Sequence, residues 1–391
     1  MSKLEELINQ LCPDGVEYVK LGEVVSYEQP TKYLVESTDY NDDFTTPVLT
    51  AGQSFILGYT DETTGIYNAT VDNPVIIFDD FTAAFKWVDF NFKVKSSAMK
   101  MLTANESKTT LRYIFHIMGY LNFTSDEHKR LWIGTYSNFP IPLPPLPVQE
   151  EIVRILDNMT SLTAELTAEL TAELKARQKQ YEYYRDSLLS FDEDNTQDGV
   201  RWMKLEDVAI FRNGKGHEKE IVENGRYIVV NSKFISTDGK VKKFSEQQLC
   251  PVYANDVLMV MSDLPNGKAL AKCFYVEKDS VYSLNQRICA LTSKNDTLIN
   301  SRYFFYILNR NRMLLKYDNG VDQTNLKKSD ILNLVIPVPT LEEQQRIVDI
   351  LDRFDKLCND ISEGLPAEIE ARKKQYEYYR DKLLTFKEKE A

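Results

Sequence analysis

Cysteine and histidine are scarce in this sequence, and neither is clustered. The five cysteines are scattered over 391 residues without a C-x-x-C pair, which argues against a disulfide framework and against a zinc site. The three histidines, His116, His128 and His217, do not have the spacing of a metal-binding motif such as H-E-x-x-H. We therefore expect no metal site, and most of these side chains should be ordinary packing or surface residues.

Long apolar runs and nucleotide-binding motifs are also missing. No apolar run is long enough to span a bilayer, and the first residues do not resemble a signal peptide, so we expect a cytoplasmic protein. There is no G-x-x-x-x-G-K-[ST] phosphate loop, and NGKG at 213–216 lacks the context of a dinucleotide fingerprint. DNPV at 72–75 lacks the second proline and the aromatic residue of the amino-methyltransferase signature. These absences argue against a catalytic chain.

Positive charge is in short supply overall. The formal net charge of −12 would by itself disfavour a nucleic-acid-binding protein. The charge is uneven, however, because residues 1–140 have 11 Lys and Arg against 19 Asp and Glu, whereas residues 201–335 have 21 against 15. One basic segment therefore stands in an otherwise acidic chain, and a nucleic-acid partner is not excluded.

The chain contains the same segment twice. KARQKQYEYYRDSLLSF at 175–191 returns at 370–386 with 13 of 17 positions identical. Upstream, IPLPPLPVQEEIVRILD from Ile141 reappears as IPVPTLEEQQRIVDILD from Ile336, and both pairs are offset by 195 residues. A weaker match joins 14–24 to 198–208, so the segment near Phe386 is expected beside the start of the chain. The pattern predicts two similar halves with pseudo-two-fold symmetry.

Each repeated segment predicts helix, and each intervening segment predicts a β-rich domain. Apolar residues three or four apart predict one helix of about 40 residues in the first repeat, whereas Gly364 and Pro366 should break the second. Short runs rich in Val, Ile, Phe and Tyr alternate with turns elsewhere. We predict an α+β protein with two mixed α/β domains separated by two long helices that form an antiparallel coiled coil. The two predicted α/β domains are residues 1–140 and 198–335, and the two predicted helical regions are residues 141–197 and 336–391.

The tetrapeptide TAEL occurs three times in a row at 163–174. Four residues exceed one 3.6-residue turn, so equivalent leucines drift by about 40° around a helix with each unit. A unit also lengthens the helix by about 6 Å without altering its flanks. The array is therefore suited to setting a distance, although a low-complexity accident in a tolerant helix is the alternative.

The repeated pattern IP-P-L--Q--IV-ILD followed by QYEYYRD-LL-F resembles the DNA-specificity subunits of Type I restriction-modification systems. The resemblance covers the whole chain, and the TAEL array resembles the subgroup with tandem repeats in the central helix. It implies a noncatalytic reader of a split double-stranded DNA target, with one target-recognition domain for each half-site. The helices would set the gap between half-sites and dock two methyltransferase subunits and, beyond them, the nuclease-translocase subunits. S-adenosylmethionine, ATP and magnesium would belong to those partners.

Candidate DNA-binding residues follow from the basic and polar tracts of the two domains. In the first domain they are Lys32, Lys93, Lys95, Ser96, Ser97, Lys100, His128, Lys129 and Arg130. In the second domain, the candidates for phosphate binding are Arg212, Lys215, Lys219, Lys233, Lys327 and Lys328. The candidates for reading base edges are Asn285, Gln286, Arg287, Gln323 and Asn325. For any one of them, the alternative is a solvated strand end or a helix cap.

Two other functional classes fit the sequence less well. The first is a helix-tethered DNA-binding scaffold or repressor that has no modification partners. A neighbouring gene for an amino-methyltransferase would favour the specificity subunit over this alternative. The second is a self-sufficient methyltransferase or nuclease, which the missing catalytic motifs disfavour.

Overall fold

The computed structural model describes residues 2–52, 54–125, 129–191, 199–264, 269–318, 321–359 and 364–390. The chain forms two compact units. The first combines Met1–Thr171 with Glu368–Ala391, and the second is Ala172–Ala367. Each unit therefore joins one predicted β-rich domain to parts of the repeated helical segments. In the described part of the chain, no helix has the length and apolarity needed to cross a membrane.

The first unit has a four-stranded antiparallel sheet, a smaller sheet and a two-stranded ladder. Its helices are α1 (Lys3–Leu11), α2 (Leu21–Val24), α3 (Leu111–Leu121) and the first part of α4 (Leu146–Leu188). Its strands are β1 (Glu17–Lys20), β2 (Val25–Glu28), β3 (Thr46–Leu49), β4 (Ile56–Thr60), β5 (Val75–Asp79), β6 (Phe85–Val88), β7 (Lys93–Val94), β8 (Met99–Ala104) and β9 (Pro140–Leu143). The main sheet has the order β2-β8-β5-β6, and the smaller has β4-β3-β7.

Strand β5 is buried on both faces, which places it at the centre of this unit. Because successive side chains of a strand point to opposite faces, Ile76 and Phe78 enter one hydrophobic core, which includes residues of α3 and α4. Val75 and Ile77 enter another, which includes residues of the smaller sheet. The continuous apolar run at 75–78 therefore reflects a strand that packs against a hydrophobic core on each face.

The second unit repeats this arrangement. Its helices are α5 (Leu205–Val208), α6 (Ser232–Ser236), α7 (Ser301–Leu308), α8 (Arg312–Leu315), α9 (Lys328–Leu332) and α10 (Leu341–Asn359), together with the end of α4 and the start of α11 (Leu365–Leu384). Its strands are β10 (Arg201–Lys204), β11 (Ala209–Asn213), β12 (Ile221–Val222), β13 (Tyr227–Val230), β14 (Phe244–Ser245), β15 (Val257–Val260), β16 (Ser262–Asp263), β17 (Cys273–Tyr275), β18 (Tyr282–Leu284), β19 (Ile288–Ser293), β20 (Thr324–Asn325) and β21 (Val335–Val338).

The main sheets of the two units correspond strand for strand, although the intervening sequences are unlike. The order β11-β19-β15-β17 matches β2-β8-β5-β6. The parallel pair β13 and β18 matches the parallel pair β3 and β7. The ladder β10–β21 matches β1–β9. The two mixed α/β domains predicted from the sequence therefore share one topology.

The helices follow the prediction closely. Helix α4 runs unbroken for 43 residues, and the second repeat is interrupted between the end of α10 at Asn359 and the start of α11 at Leu365. Pro366 lies in the first turn of α11, where a missing backbone N–H costs nothing. In the second unit, the Tyr184 ring of α4 lies 5.4 Å from the Phe354 ring of α10. Tyr181, one turn earlier in α4, lines the same cavity as Asp355 and Cys358, which lie further along α10, so these helices are antiparallel.

The segment around Phe386 lies beside the start of the chain, as the weak repeat predicted. The backbone N–H of Val16 donates to the Lys387 carbonyl at 2.9 Å, and the N–H of Lys389 donates to the Val16 carbonyl at 2.9 Å. The hydroxyl of Tyr18 donates to the Phe386 carbonyl at 3.1 Å. A short parallel bridge thus joins two segments of the first unit that are far apart in sequence.

A buried glutamine joins each β domain to the helix of the repeated segment that follows it. Gln149 Oε1 accepts hydrogen bonds from Thr109 Oγ1 (2.8 Å) and the Thr110 N–H (3.2 Å), and Nε2 donates to the carbonyls of Lys108 (3.0 Å) and Pro144 (2.8 Å). Thr110 is the N-cap of α3. These bonds fix the turn after β8 on the start of α4.

Gln344 makes the equivalent contacts in the second unit. Its Oε1 accepts from the N–H of Asn300, the N-cap of α7, at 2.7 Å. Its Nε2 donates to the carbonyls of Leu298 (3.0 Å) and Pro339 (2.8 Å). Both glutamines are fully buried, so the junction between domain and helix is built twice with the same chemistry.

Candidate nucleic-acid interface

In the second unit, several predicted residues gather at one end of the four-stranded sheet. The last residue of β11, Asn213, pairs with Cys289 near the start of β19. The last residue of β15, Val260, pairs with Ile288, the first residue of β19. The loops that follow β11 and β15 and the loop that precedes β19 therefore leave the sheet at the same end. Because Gln344 holds the turn after β19, these loops lie at the end opposite the helical junction.

The tract at 323–328 is fastened to the same end. Asn325 pairs with Ser262, and the N–H of Leu326 donates to the Met261 carbonyl at 2.8 Å. The amide of Gln323 donates to Ser262 Oγ at 2.7 Å. We call the surface formed by residues 213–219, 261–264, 285–287 and 323–328 the loop face of the second unit.

The exposed side chains of this loop face are mostly cationic or amide-bearing. They include the predicted residues Lys215, Lys219, Gln286, Arg287, Gln323, Asn325, Lys327 and Lys328. Lys328 also places its ammonium 5.4 Å from the centre of the Phe211 ring. Lys233 is exposed on α6, next to Ser232, whose hydroxyl donates to the Ser262 carbonyl at 3.5 Å. Such a surface offers cations to phosphates and both donors and acceptors to base edges.

Two predicted residues of the second unit have partners within the protein. The guanidinium of Arg212 forms an ion pair with the fully buried carboxylate of Asp256 and donates to the Pro251 carbonyl at 3.0 Å. Asn285 is buried, and its backbone N–H donates to the Val230 carbonyl at 3.1 Å. The Asn285 side chain accepts through Oδ1 from the Arg287 N–H at 3.4 Å. The prediction of DNA contact is therefore wrong for the buried side chain of Asn285. For Arg212, whose side chain is 31% exposed, DNA contact stays a prediction.

The first unit has an equivalent loop face. Glu28, the last residue of β2, pairs with Met101, and Asp79, the last residue of β5, pairs with Met99, the first residue of β8. The N–H of Leu131 donates to the Asp80 carbonyl at 2.7 Å, as the N–H of Leu326 does to Met261. Residues 29–33, 80–83, 95–98 and 129–131 therefore form the loop face of the first unit.

Five predicted residues are exposed on this face, and a sixth is half-buried. Lys32, Lys95, Ser97, Lys129 and Arg130 are exposed, whereas Ser96 is half-buried and its hydroxyl accepts from the Ala98 N–H at 3.1 Å. Lys32 pairs with Glu28 at 3.2 Å, and Arg130 Nη1 lies 3.4 Å from Asp80 Oδ2. The local cations are thus partly balanced by acids, and His128 lies outside the described residues.

The structure corrects the prediction for Lys93 and Lys100. Lys93 is only 2% exposed, and its ammonium lies 2.6 Å from the Glu62 carboxylate and donates to the Thr64 carbonyl at 2.7 Å. Lys100 is 1% exposed and pairs with the equally buried Asp80 at 3.0 Å. A buried ammonium requires such a partner, so each lysine supports loops and cannot reach a phosphate.

Glu218 is a feature of the second loop face that sequence reasoning missed. Its carboxylate accepts a hydrogen bond from the Gln286 amide, and this bond is the main cause that lowers the pKa of Glu218. The only signal in the sequence is an acid between two lysines, Lys215 and Lys219, within KGHEK. A lone acid in a basic tract is common on protein surfaces, so the pattern alone did not single it out.

The loop that carries Glu218 is held in place by contacts with β18 and the residue that follows it. The buried ring of His217 bonds through Nδ1 to the Lys215 carbonyl and through Nε2 to Ser283 Oγ, both at 2.7 Å. The N–H of Lys215 donates to the Leu284 carbonyl at 3.0 Å. At Gly214 an added Cβ would lie 2.0 Å from the Asn285 carbonyl oxygen, so only glycine allows this close approach. The loop is therefore preorganised against β18.

A family model, a relative of known type and solved structures all match this chain over most of its length. The family described as the Type I restriction modification DNA specificity domain matches residues 13–176 and again 197–371. A Type I restriction enzyme specificity subunit of Escherichia coli is 43% identical over 413 residues, covering 99% of this chain and 97% of the relative. A chain in a solved structure concerning complex assembly and conformational transition of the type I R-M system has 18% identity and a TM-score of 0.63, covering 95% of this chain and 98% of that chain. The S subunit of a Type I restriction-modification system from M. genitalium has 14% identity and a TM-score of 0.50, covering 95% and 96%.

Proposed function

We propose that this chain, which belongs to the family of Type I restriction-modification DNA specificity subunits, is the noncatalytic subunit that reads a bipartite DNA target. Each loop face would read one half-site. The observation that carries the proposal is that the two loop faces occupy equivalent places in one topology but present different exposed side chains. Two readers of different sequences, mounted on the same framework, would have this form.

On each loop face, different side chains would contact the phosphates and the bases of DNA. Lys215, Lys219 and Lys327 would neutralise phosphates, which gives affinity but no sequence information. Gln286, Gln323 and Asn325 carry donors and acceptors that can match base edges in the major groove. The first unit has Ser97 and Arg130 in comparable tracts, so its half-site should differ in sequence.

Partner proteins would supply the chemistry. Two methyltransferase subunits, one for each repeated segment, would dock on the chain, and nuclease-translocase subunits would join beyond them. The repeated segment presents identical exposed tyrosines, with Tyr183 70% exposed and Tyr378 64% exposed, which supports two equivalent docking surfaces. S-adenosylmethionine, ATP and magnesium would be bound by these partners. The acidic first unit also suggests that partners contribute part of the phosphate contacts.

The TAEL array would set the distance between the half-sites. Leu162 is 65% exposed, Leu166 is half-buried, Leu170 is 9% exposed and Leu174 is half-buried. The leucines therefore cross the buried side of α4 as the 40° drift requires, and the helix remains continuous. One unit is about 6 Å long, which corresponds to one or two base pairs at about 3.4 Å each.

A pair of domain exchanges tests the proposal. In one chimera, residues 200–335 are replaced by the equivalent domain of a relative, and in the matched chimera residues 15–140 are replaced. Each is assembled with the methyltransferase partner, its mass is measured, and methylated adenines are mapped by single-molecule sequencing. We expect two partner copies per chain and a change in a different half-site for each chimera.

Three outcomes would count against the proposal. A change in both half-sites from one exchange would show that the domains do not read independently. A complex with one partner copy would refute two equivalent docking surfaces. DNA binding by a chain that recruits no partner at all would favour a scaffold or repressor.

A further inference from the structure

We propose that Glu218 and Gln286 form a joint base-reading pair on the loop face of the second unit. The pair would select a base with an exocyclic amino group in the major groove, adenine or cytosine, and reject guanine and thymine. This inference rests on the proposed function and adds a named pair of residues and a class of base to it.

Glu218 is exposed among cations of the loop face, with Lys215 and Lys219 on its own loop and Arg287 close enough to influence it. A carboxylate is repelled by phosphates, whereas Lys215 and Lys219 are attracted to them. On a surface that meets DNA, a carboxylate is compatible with binding where it faces a donor, and the only donors in the groove are amino groups of bases.

The bond to Glu218 defines the orientation of the Gln286 amide. An ionised carboxylate is only an acceptor, so the bond to Glu218 must come from the NH₂ end of the amide. Hydrogen-bond partners of this kind decide an amide orientation that the shape of the side chain leaves ambiguous. With Nε2 turned to Glu218, the Gln286 carbonyl oxygen is left available as a second acceptor. The pair therefore presents acceptors, together with the one remaining N–H of the amide.

A contact that discriminates between bases must be held in place, because a mobile side chain adapts to the wrong base. The Glu218 loop is fixed by the buried His217 and by the close approach at Gly214. The backbone of Gln286 lies between Asn285, which bonds to Val230, and Arg287, whose carbonyl accepts from the Met261 N–H. Both members of the pair thus stand on backbone that is tied to the sheet.

These features determine which bases fit. Adenine presents its N6 amino group and cytosine its N4 amino group in the major groove, and either can donate to the pair. Guanine and thymine present carbonyl oxygens at the corresponding places, and an oxygen facing the Glu218 carboxylate is repelled. If the base is adenine, the remaining N–H of Gln286 also matches its N7 acceptor.

The test is to map the methylation motif of the complex that contains Glu218→Gln. The change keeps size and removes the charge, and its amide can offer a donor to a carbonyl oxygen. We expect one position of one half-site, which is A or C with the wild-type chain, to lose at least about tenfold of its discrimination against G or T. All other positions should stay as they are. Glu277→Gln is the matched control, since Glu277 is exposed beyond the end of β17, at the opposite end of the sheet.

The outcomes separate this inference from the proposed function. An unchanged motif with Glu218→Gln would overturn the pair as a reader, whatever happens to the overall rate. Gln286→Met, which removes the amide, provides a second variant, and we expect it to relax the same position. Relaxation of two different positions by the two variants would also overturn the joint pair. If the wild-type complex reads no bipartite motif, the proposed function itself fails.

Discussion

Replacing the buried Gln149 with leucine should destabilise the first unit selectively. The change removes every hydrogen bond of the Gln149 amide. Four groups lose this partner: the Thr109 hydroxyl, the Thr110 N–H and the carbonyls of Lys108 and Pro144. The bonds to Thr109 and Pro144 are fully buried, so water cannot replace them without local opening.

The expected loss of stability can be estimated from two buried groups, the Thr109 hydroxyl and the Pro144 carbonyl. An unsatisfied buried polar group costs about 1–3 kcal/mol, so the pair costs about 4 kcal/mol. Leucine returns about 1 kcal/mol through additional apolar burial, since a buried methylene is worth about 0.8 kcal/mol. The net loss of about 3 kcal/mol is a large part of the 5–15 kcal/mol that is typical for a folded domain.

Urea denaturation followed by tryptophan fluorescence measures this loss. Trp87 and Trp132 lie in the first unit and Trp202 in the second, so a Trp202→Phe background makes the signal specific to the first unit. With a urea dependence near 3 kcal/mol/M, the midpoint should fall by about 1 M. Gln10→Leu, at an exposed position of α1 in the same unit, is the control and should shift the midpoint little. Equal midpoints for the two variants would refute the view that Gln149 holds domain and helix together.

Three other predictions concern DNA binding, spacing and pH. Lys219→Ala should weaken binding of the assembled complex equally for all sequences and reduce the slope of log affinity against log salt by about one, whereas Lys278→Ala, beyond the other end of the sheet, should not. Deleting Thr167 to Leu170 should leave both half-sites unchanged and shorten the gap by one or two base pairs. Methylation at only the original spacing would disprove the proposal that the TAEL array sets this distance. The pKa of His116 is lowered by burial, against the opposing influence of Asp157, so stability should fall as pH drops below about 6.5. His116→Tyr should remove this dependence, because Tyr306 occupies the equivalent place in the second unit and bonds to Asp352; an unaltered pH profile in thermal unfolding would contradict it.

The framework could be predicted from the sequence because its signals are local or repeated. The break before Leu365 follows from Gly364 and Pro366, and the long α4 follows from apolar spacing. The offset of 195 residues also places Leu131 on Leu326, and the structure gives the two residues equivalent backbone bonds. A repeat transfers position even where the side chains differ.

The fate of individual charged residues could not be predicted, because it depends on partners that are distant in sequence. Lys93 lies in the basic tract KVKSSAMK, but its partner Glu62 is 31 residues away and is brought near by the smaller sheet. Lys100 finds Asp80 through the pairing of β5 with β8. Charge and turn context predict exposure only when no buried acid lies within reach of the folded strand.

The support beneath the loops is as variable as the loops themselves, and this sets the size of the unit that can be exchanged. Lys100 and Asp80 form a buried ion pair in the first unit, whereas their structural counterparts in the second, Cys289 and Met261, are not charged. If the exposed loop residues alone were transferred to another domain, they would rest on buried residues that do not match them. Separating Lys100 from Asp80 would leave a buried charge without a partner, which would reduce stability by about 3–5 kcal/mol. The junctions at Gln149 and Gln344, by contrast, bond largely to backbone groups and are nearly the same in both units. Exchange of whole domains up to these junctions keeps each loop face with its own support, which is why new half-sites should come from domain exchange more readily than from grafted loops.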